Sequence, residues 1–184
     1  MNEINLIDQC LRNDRRAQKE LVYNYAPALL SVIRRYVTDV HRAEDYLQEG
    51  FINIFNNLQQ FDHQKASLYT WMRKIVIHTT FRQFQMEKSR LNGIQVLEES
   101  QALSIPETEI SLQHLDSEYL IKLIQKLEDP YRKIFNLHAI DGYTHEEVAE
   151  ILGIEVVTSR SYLFRARKLL MQQLLAQKAS ANGK

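Results

Sequence analysis

The sequence has little that breaks a chain: only 5 glycines and 3 prolines in 184 residues. Turns are therefore few. Strand-like alternation is scarce, while apolar residues recur at helical spacing almost throughout, so the expected fold is all-α. It has one cysteine, Cys10, which excludes an internal disulfide and fits a reducing compartment. Cys10 stands beside Leu11 and is expected to pack as a small apolar residue. No apolar run is long enough to span a bilayer, and MNEINLIDQ lacks a basic leader with an apolar core. The expectation is a soluble, cytoplasmic protein without membrane insertion.

It also lacks net charge. Lys and Arg total 23, Asp and Glu 23, which on its face argues against a nucleic-acid partner. The distribution argues the other way. Between His63 and Met86 there are four Lys or Arg and no acid, whereas from Leu91 to Ile121 there is no Lys or Arg but six acids: Glu98, Glu99, Glu107, Glu109, Asp116 and Glu118. The zero is a sum of basic and acidic segments and does not exclude a local DNA footprint. Signals for other chemistry are missing. There is no glycine-rich phosphate loop, no nucleophile with a nearby base, and no His at metal-ligand spacing from Cys or Asp. No enzyme, cofactor or metal site is expected. His138 and His145 flank a turn and are expected at the surface.

What is present centres on Tyr143 to Leu170, YTHEEVAEILGIEVVTSRSYLFRARKLL. Thr144 can cap a helix, with Glu147 completing a capping box. Val148, Ile151 and Leu152 give that helix an apolar face, and small Ala149 admits a close crossing. Gly153 suits the positive φ of a sharp reversal. The second helix keeps Val156 and Leu163 for packing. It then turns basic, with Arg160, Arg165, Arg167 and Lys168 and no acid after Glu155. This is the layout of a helix-turn-helix whose second helix enters the DNA major groove. One-sided charge favours an anionic partner over a merely solvated helix.

Along the chain, a short helix is expected over Glu3 to Arg12, with Asp14 capping the next. That second helix carries Leu21, Val22, Tyr25, Leu29, Val32, Ile33 and Tyr36, with a kink or fresh start at Pro27. Arg34 and Arg35 suit its negative end. Ala43 to Leu58 is read as a helix burying Leu47, Phe51, Ile54, Phe55 and Leu58. Asp45, Gln48 and Glu49 share its opposite face, which spacing alone reads as an ordinary polar surface. Gly50 inside a helix costs roughly 1 kcal/mol relative to alanine. Phe61 to Leu68 is a loop in which Asp62 and Ser67 serve as turn or cap residues. A long helix follows from Tyr69 to about Arg90. Trp71, Ile75, Phe81 and Phe84 are placed inward, and Lys74, His78 and Arg82 lie four apart on another face. A basic face with flanking aromatics suits a nucleic-acid backbone and unstacked bases; a solvated basic helix has the same spacing. Leu91 to about Ser117 reads as an extended acidic linker. Beyond it, Tyr119, Leu120, Leu123, Ile124 and Leu127 form one amphipathic helix. Asp129-Pro130 then reads as a cap followed by Pro at the first helical position. Gly142 ends that helix, and Met171 to Lys184 is expected to fade into a frayed tail.

The blocks AEDYLQEGFINIF, TWMRKIV, LEDPYRKIFNLHAIDGYTHEEVAEILGI and TSRSYLFRARKLL occur in this order. Together they resemble the extracytoplasmic-function (ECF) sigma factors of bacterial RNA polymerase, over nearly the whole chain. The resemblance implies two small helical domains joined by an acidic flexible linker: 1–92 for polymerase binding and −10 recognition, 93–117 as linker, and 118–178 carrying the helix-turn-helix. It implies core RNA polymerase and promoter DNA as partners, and members are commonly held inactive by an anti-sigma factor wedged between the domains. Asp45, Gln48 and Glu49 resemble the surface that grips the polymerase clamp helices. Asp62, Ser67, Lys74, His78 and Arg82 resemble the loop and helix that read and melt the −10 element. Thr158, Arg160, Ser161, Phe164, Arg165 and Arg167 resemble the −35 reader.

The chain departs from the family pattern at several points. His78 stands where Asn is frequent, and Gly50 replaces a usual apolar residue. Val157 replaces a common Gly, Ser159 a common Val and Tyr162 a common Arg, so no −35 sequence is implied. The residues alone also allow a freestanding helix-turn-helix regulator, or a helical protein-interaction module without a DNA role. The Asp45–Glu49 face separates these from the polymerase-binding reading.

Overall fold

The computed structural model describes residues 3–91 and 122–181, with side chains described to residues 87 and 176. All regular elements among the described residues are helical. The chain divides into two compact units, Met1–Gln95 and Val96–Lys184. The acidic segment 93–117, Tyr119 and Leu120 lie outside the described residues.

In the first unit, α1 (Glu3–Leu11) buries Leu6 and Cys10. Burial and nearby Asp14 push the Cys10 thiol above its ordinary pKa, as suits an inert packing residue. Asp14 caps α2 (Arg15–Arg34), accepting from the backbone N–H of Arg16 (2.7 Å) and Ala17 (3.2 Å). The expected break at Pro27 does not occur, and α2 passes through it as one helix. Pro27 is exposed, and the carbonyl it leaves without a helical donor belongs to Tyr23, itself 81% exposed. Water can satisfy that carbonyl, which lowers the cost of an interior proline.

Asp39 caps α3 (Val40–Asn57), and α4 (Leu68–Leu91) follows the loop. Their buried residues with those of α2 form the core: Leu21, Leu29, Ile33, Tyr36, Ile54, Leu58, Leu68, Met72 and Ile77. Two expected faces shift. On α3, Tyr46 is buried while Leu47 and Phe55 are only half-buried. The Tyr46 phenol escapes to Glu87, donating at 2.6 Å, while Arg42 pairs with the same carboxylate. On α4, Trp71, Ile75 and Phe84 are half-exposed, and the inward residues are Met72, Val76, Ile77 and Phe81. YTWMRKIVIHTTF is apolar on nearly every side, so periodicity could not select the face.

Gly50 lies where α3 meets α4. A Cβ at this position would stand 2.8 Å from Val76 Cγ1, closer than carbon atoms tolerate. Glycine here allows two helices to approach closely, a use that outweighs its poor helix propensity.

In the second unit, residues 122–125 are helical and Leu123, Ile124 and Leu127 are buried. Next is α5 (Asp129–Phe135), with Glu128 in the cap position and Pro130 in the first turn. Asp129 is thus inside the helix rather than capping it. Its carboxylate pairs with Arg132 (2.9 Å) and Lys133 (2.5 Å) one turn on. A π-helical turn, Asn136–Ile140, continues α5, and Gly142 at φ 77° ends the run. The helix-turn-helix is α6 (His145–Leu152) and α7 (Val156–Ala181). The capping box forms in full: the Thr144 N–H donates to Glu147 Oε2 (2.8 Å), and the Glu147 N–H donates to Thr144 Oγ1 (3.2 Å). Gly153 turns the chain at φ 66°. Instead of fraying after Leu170, α7 continues to Ala181. MQQLLAQKAS consists mostly of strong helix formers and has no glycine or proline.

Candidate nucleic-acid interface

Asp45, Gln48 and Glu49 all stand exposed on α3, opposite its buried face of Ala43, Tyr46, Gly50, Phe51 and Ile54. Helical spacing puts Ile52 on the same outward stripe, and Ile52 is 52% exposed. An isoleucine one turn from three polar groups makes this a mixed patch of the kind that contacts proteins.

Beside this stripe, α3 and α4 enclose a groove of about 470 Å³ lined by Trp71, Lys74, Ile75, His78, Thr79 and Arg82 from α4. Asn53, Asn57 and Gln60 close it from the α3 side. The basic residues Lys74, His78 and Arg82 therefore do come together. The amides are linked in series. Gln60 Nε2 donates to Asn57 Oδ1 (3.1 Å), Asn57 Nδ2 to the Asn53 carbonyl (2.8 Å), and Asn53 Nδ2 to Thr79 Oγ1 (3.0 Å). Phe61 holds Trp71 from the loop side, with ring centroids 5.5 Å apart. The groove thus offers an aromatic face for stacking, cations for phosphates and amides for base edges. Asp62 and Ser67 do not line it. Asp62 Oδ1 accepts from the Gln64 N–H (2.9 Å) and Ser67 Oγ from the Thr70 N–H (3.2 Å), so both shape the loop that starts α4.

On α7, Ser159, Tyr162, Leu163, Ala166 and Leu170 are buried. Helical geometry sends Val157, Ser161, Phe164 and Lys168 to the opposite side, with Arg160 and Arg165 flanking them and Thr158 and Arg167 nearer the packed face. Arg160 is exposed and reaches Glu146 of α6 at 3.5 Å. Thr158, Ser161, Phe164, Arg165 and Arg167 are half-buried, and the Ser161 hydroxyl donates to the Thr158 carbonyl (3.0 Å). Two departures from the family pattern have structural partners. Tyr162 packs edge-on against Tyr131 (5.3 Å), and Ser159 Oγ lies 2.8 Å from His145 Nδ1. His138 and His145, expected at the surface, are half-buried and stacked, their centroids 4.2 Å apart and planes at 14°.

The family models for Sigma-70 region 2 and Sigma-70 region 4 match residues 21–90 and 117–170. The chain is 28% identical over 179 residues to the RNA polymerase sigma-H factor of Pseudomonas aeruginosa, covering 92% of each chain. It is 29% identical over 179 residues to the ECF RNA polymerase sigma factor SigW of Bacillus subtilis, covering 91% of this chain and 94% of the relative. The chain belongs to the ECF sigma factors. Its fold resembles that of the sigma factor RpoE from Bartonella quintana, solved with the anti-sigma factor NepR. That likeness has a TM-score of 0.50 and 21% identity, over 85% of this chain and 95% of that one.

In this ECF sigma factor, the region 2 match contains the polar stripe and the groove, and the region 4 match contains α6 and most of α7. Sequence reasoning missed Asn53, Asn57 and Gln60, because nothing in the α3 pattern shows that α4 crosses beside them. It read Trp71 as core. Ile52 could have been found, since it lies one turn beyond Glu49 on a face already marked as polar. Among the described residues no group of His, Cys, Asp and Glu is placed to hold a metal, and no helix is long and apolar enough to cross a membrane.

Proposed function

We propose that this ECF sigma factor brings core RNA polymerase to promoters through three surfaces on one chain. Its first domain, 1–92, grips polymerase through Asp45, Gln48 and Glu49. The same domain holds the melted −10 strand with Lys74, His78 and Arg82, on a helix set by the loop from Asp62 to Ser67. Residues 93–117 link it to 118–178, where Arg160, Ser161, Phe164 and Arg165 face −35 bases and Thr158 and Arg167 take phosphates. The protein acts in the cytoplasm by binding rather than by catalysis. An anti-sigma factor is a fitting partner, as the Bartonella RpoE complex illustrates for that protein.

The groove between α3 and α4 carries this reading. Extracting a base costs a few kcal/mol of lost stacking. An aromatic platform returns about 1–3 kcal/mol per base, and the three basic side chains beside Trp71 supply the phosphate attraction. A duplex reader has no need of such a groove, whereas a protein that stabilises an opened strand does. Polymerase would supply the remaining energy of melting, so DNA affinity of the isolated chain should be weak.

The test is Asp45→Ala with Gln48→Ala. Both side chains are exposed, so stability should change by no more than about 0.5 kcal/mol per site, while binding to core polymerase is lost. Normal binding by the folded double variant would remove this face from the proposal.

A further inference from the structure

The open end of the helix-turn-helix is held by two consecutive contacts. His145, the first residue of α6, meets Ser159 in the first turn of α7 at 2.8 Å, and Glu146 meets Arg160 at 3.5 Å. The second contact is exposed and salt-screened. It is also the one that DNA dissolves, if Arg160 turns to a base or phosphate. The first then remains alone. Ser159 is fully buried, so its hydroxyl depends on that imidazole.

His145 is not isolated. It stacks on His138, which comes from the π-helical turn. His138 Nδ1 lies 2.8 Å from the Tyr143 carbonyl. A carbonyl only accepts, so this nitrogen carries the proton and His138 Nε2 is the basic position. A proton arriving on either ring places a cation 4.2 Å from the other. The charged groups around His145 are His138, Arg160 and Arg167, which oppose its protonation, and Glu146, which favours it. Burial is the largest cause holding His145 below its ordinary value of 6.5, ahead of the His138 charge.

We propose that the stacked His138–His145 pair is a positioning device for α7, which fixes the recognition helix through Ser159 while both rings are neutral and releases it when the pair takes up a proton. This rests on α7 being the −35 reader. The sign follows from which state holds the proton more tightly. A histidine whose folded pKa is lowered contributes fully above 6.5, and that contribution is lost as pH falls through 6.5 toward the folded value. Promoter affinity therefore declines on acidification, in the range where histidine titrates.

Two measurements test it. The first follows the histidine ring resonances of the full chain by NMR from pH 5 to 8. In His138→Gln the titration midpoint of His145 should rise, and in the wild type the Ser159 amide signal should titrate with His145. An unmoved midpoint, or a Ser159 signal indifferent to pH, overturns the proposal. The second uses polymerase reconstituted with the full chain, on a promoter selected by run-off transcription. Between pH 7.5 and 5.5 the wild type should lose about three- to tenfold more affinity than His145→Gln, a tenfold loss corresponding to one unit of pKa difference. The glutamine keeps a hydrogen-bonding group but does not titrate. Equal losses in the two proteins overturn the proposal. So does a gain by the wild type, because the ring would then be a phosphate ligand. If Arg165→Ala leaves promoter affinity unchanged, it is the assignment of α7 as reader that fails, and the NMR coupling still decides the device.

Discussion

Substituting Gly50 by alanine sets two effects of similar size against each other. Removing glycine from a helix interior stabilises by about 1 kcal/mol through backbone entropy. Against this, the new Cβ would stand 2.8 Å from Val76 Cγ1 and 3.5 Å from Val76 Cβ. Val76 is fully buried and β-branched, so on α4 it has one strongly preferred rotamer and cannot swing aside. Helix α3 must then move off α4, and overpacking of this kind costs about 1–3 kcal/mol. The expected net effect of Gly50→Ala is a destabilisation of about 1 kcal/mol, a fall in Tm of about 4–8 °C for a unit of this size. Trp71 is the single tryptophan and sits on α4, so its fluorescence during thermal or urea unfolding reports this unit selectively. In a Val76→Ala background the obstruction is gone, and the same substitution should stabilise by up to about 1 kcal/mol. The change of sign is the diagnostic. If Gly50→Ala stabilises the otherwise wild-type protein, the close approach of α3 and α4 is not what glycine serves.

Other perturbations separate the surfaces. Arg82→Ala should lower the salt dependence of binding to single-stranded −10 DNA by about one unit of slope in the reconstituted complex, with little change of base preference; an unaltered slope would place Arg82 away from phosphate. Arg165→Ala should weaken promoter binding by about 1–3 kcal/mol, with relaxed selectivity at one −35 position; transcription unchanged from the cognate promoter would strike it from the readers. Thr144→Ala removes one half of the capping box and should cost about 1 kcal/mol, read as faster amide exchange along α6. Equal exchange would mean that packing of Val148 and Ile151 alone sets this helix.

The legible parts of the fold were those decided by local chemistry. Asp14, Ser67, Thr144, Gly142 and Gly153 act within one turn of their own positions, and each does what its residue type allows. The polar stripe of Asp45, Gln48 and Glu49 was legible because one charged face among apolar neighbours leaves no choice of orientation. The groove was only half legible. Lys74, His78 and Arg82 share a face by spacing, but the amides opposite depend on which side of α3 meets α4. Helix α4 hid its own inward face because both sides are apolar, and this put Trp71 in the wrong place. The reason for Gly50 lies in Val76, on another helix. The His138–His145 stack joins two elements across a π-helical turn that leaves no periodic trace. Pro27 shows a further limit: a strong breaker was overridden because the lost hydrogen bond faces water.

The central claim is that one chain both recruits polymerase and selects promoters. It is tested most directly by mixing the purified full chain with bacterial core RNA polymerase and sequencing run-off transcripts from a genomic promoter library. The account predicts a stable complex and a discrete set of transcripts whose start sites share −35 and −10 sequences, neither of which appears with core polymerase alone. Specific duplex binding by the isolated chain, with no association with core polymerase and no transcripts above background, would contradict it.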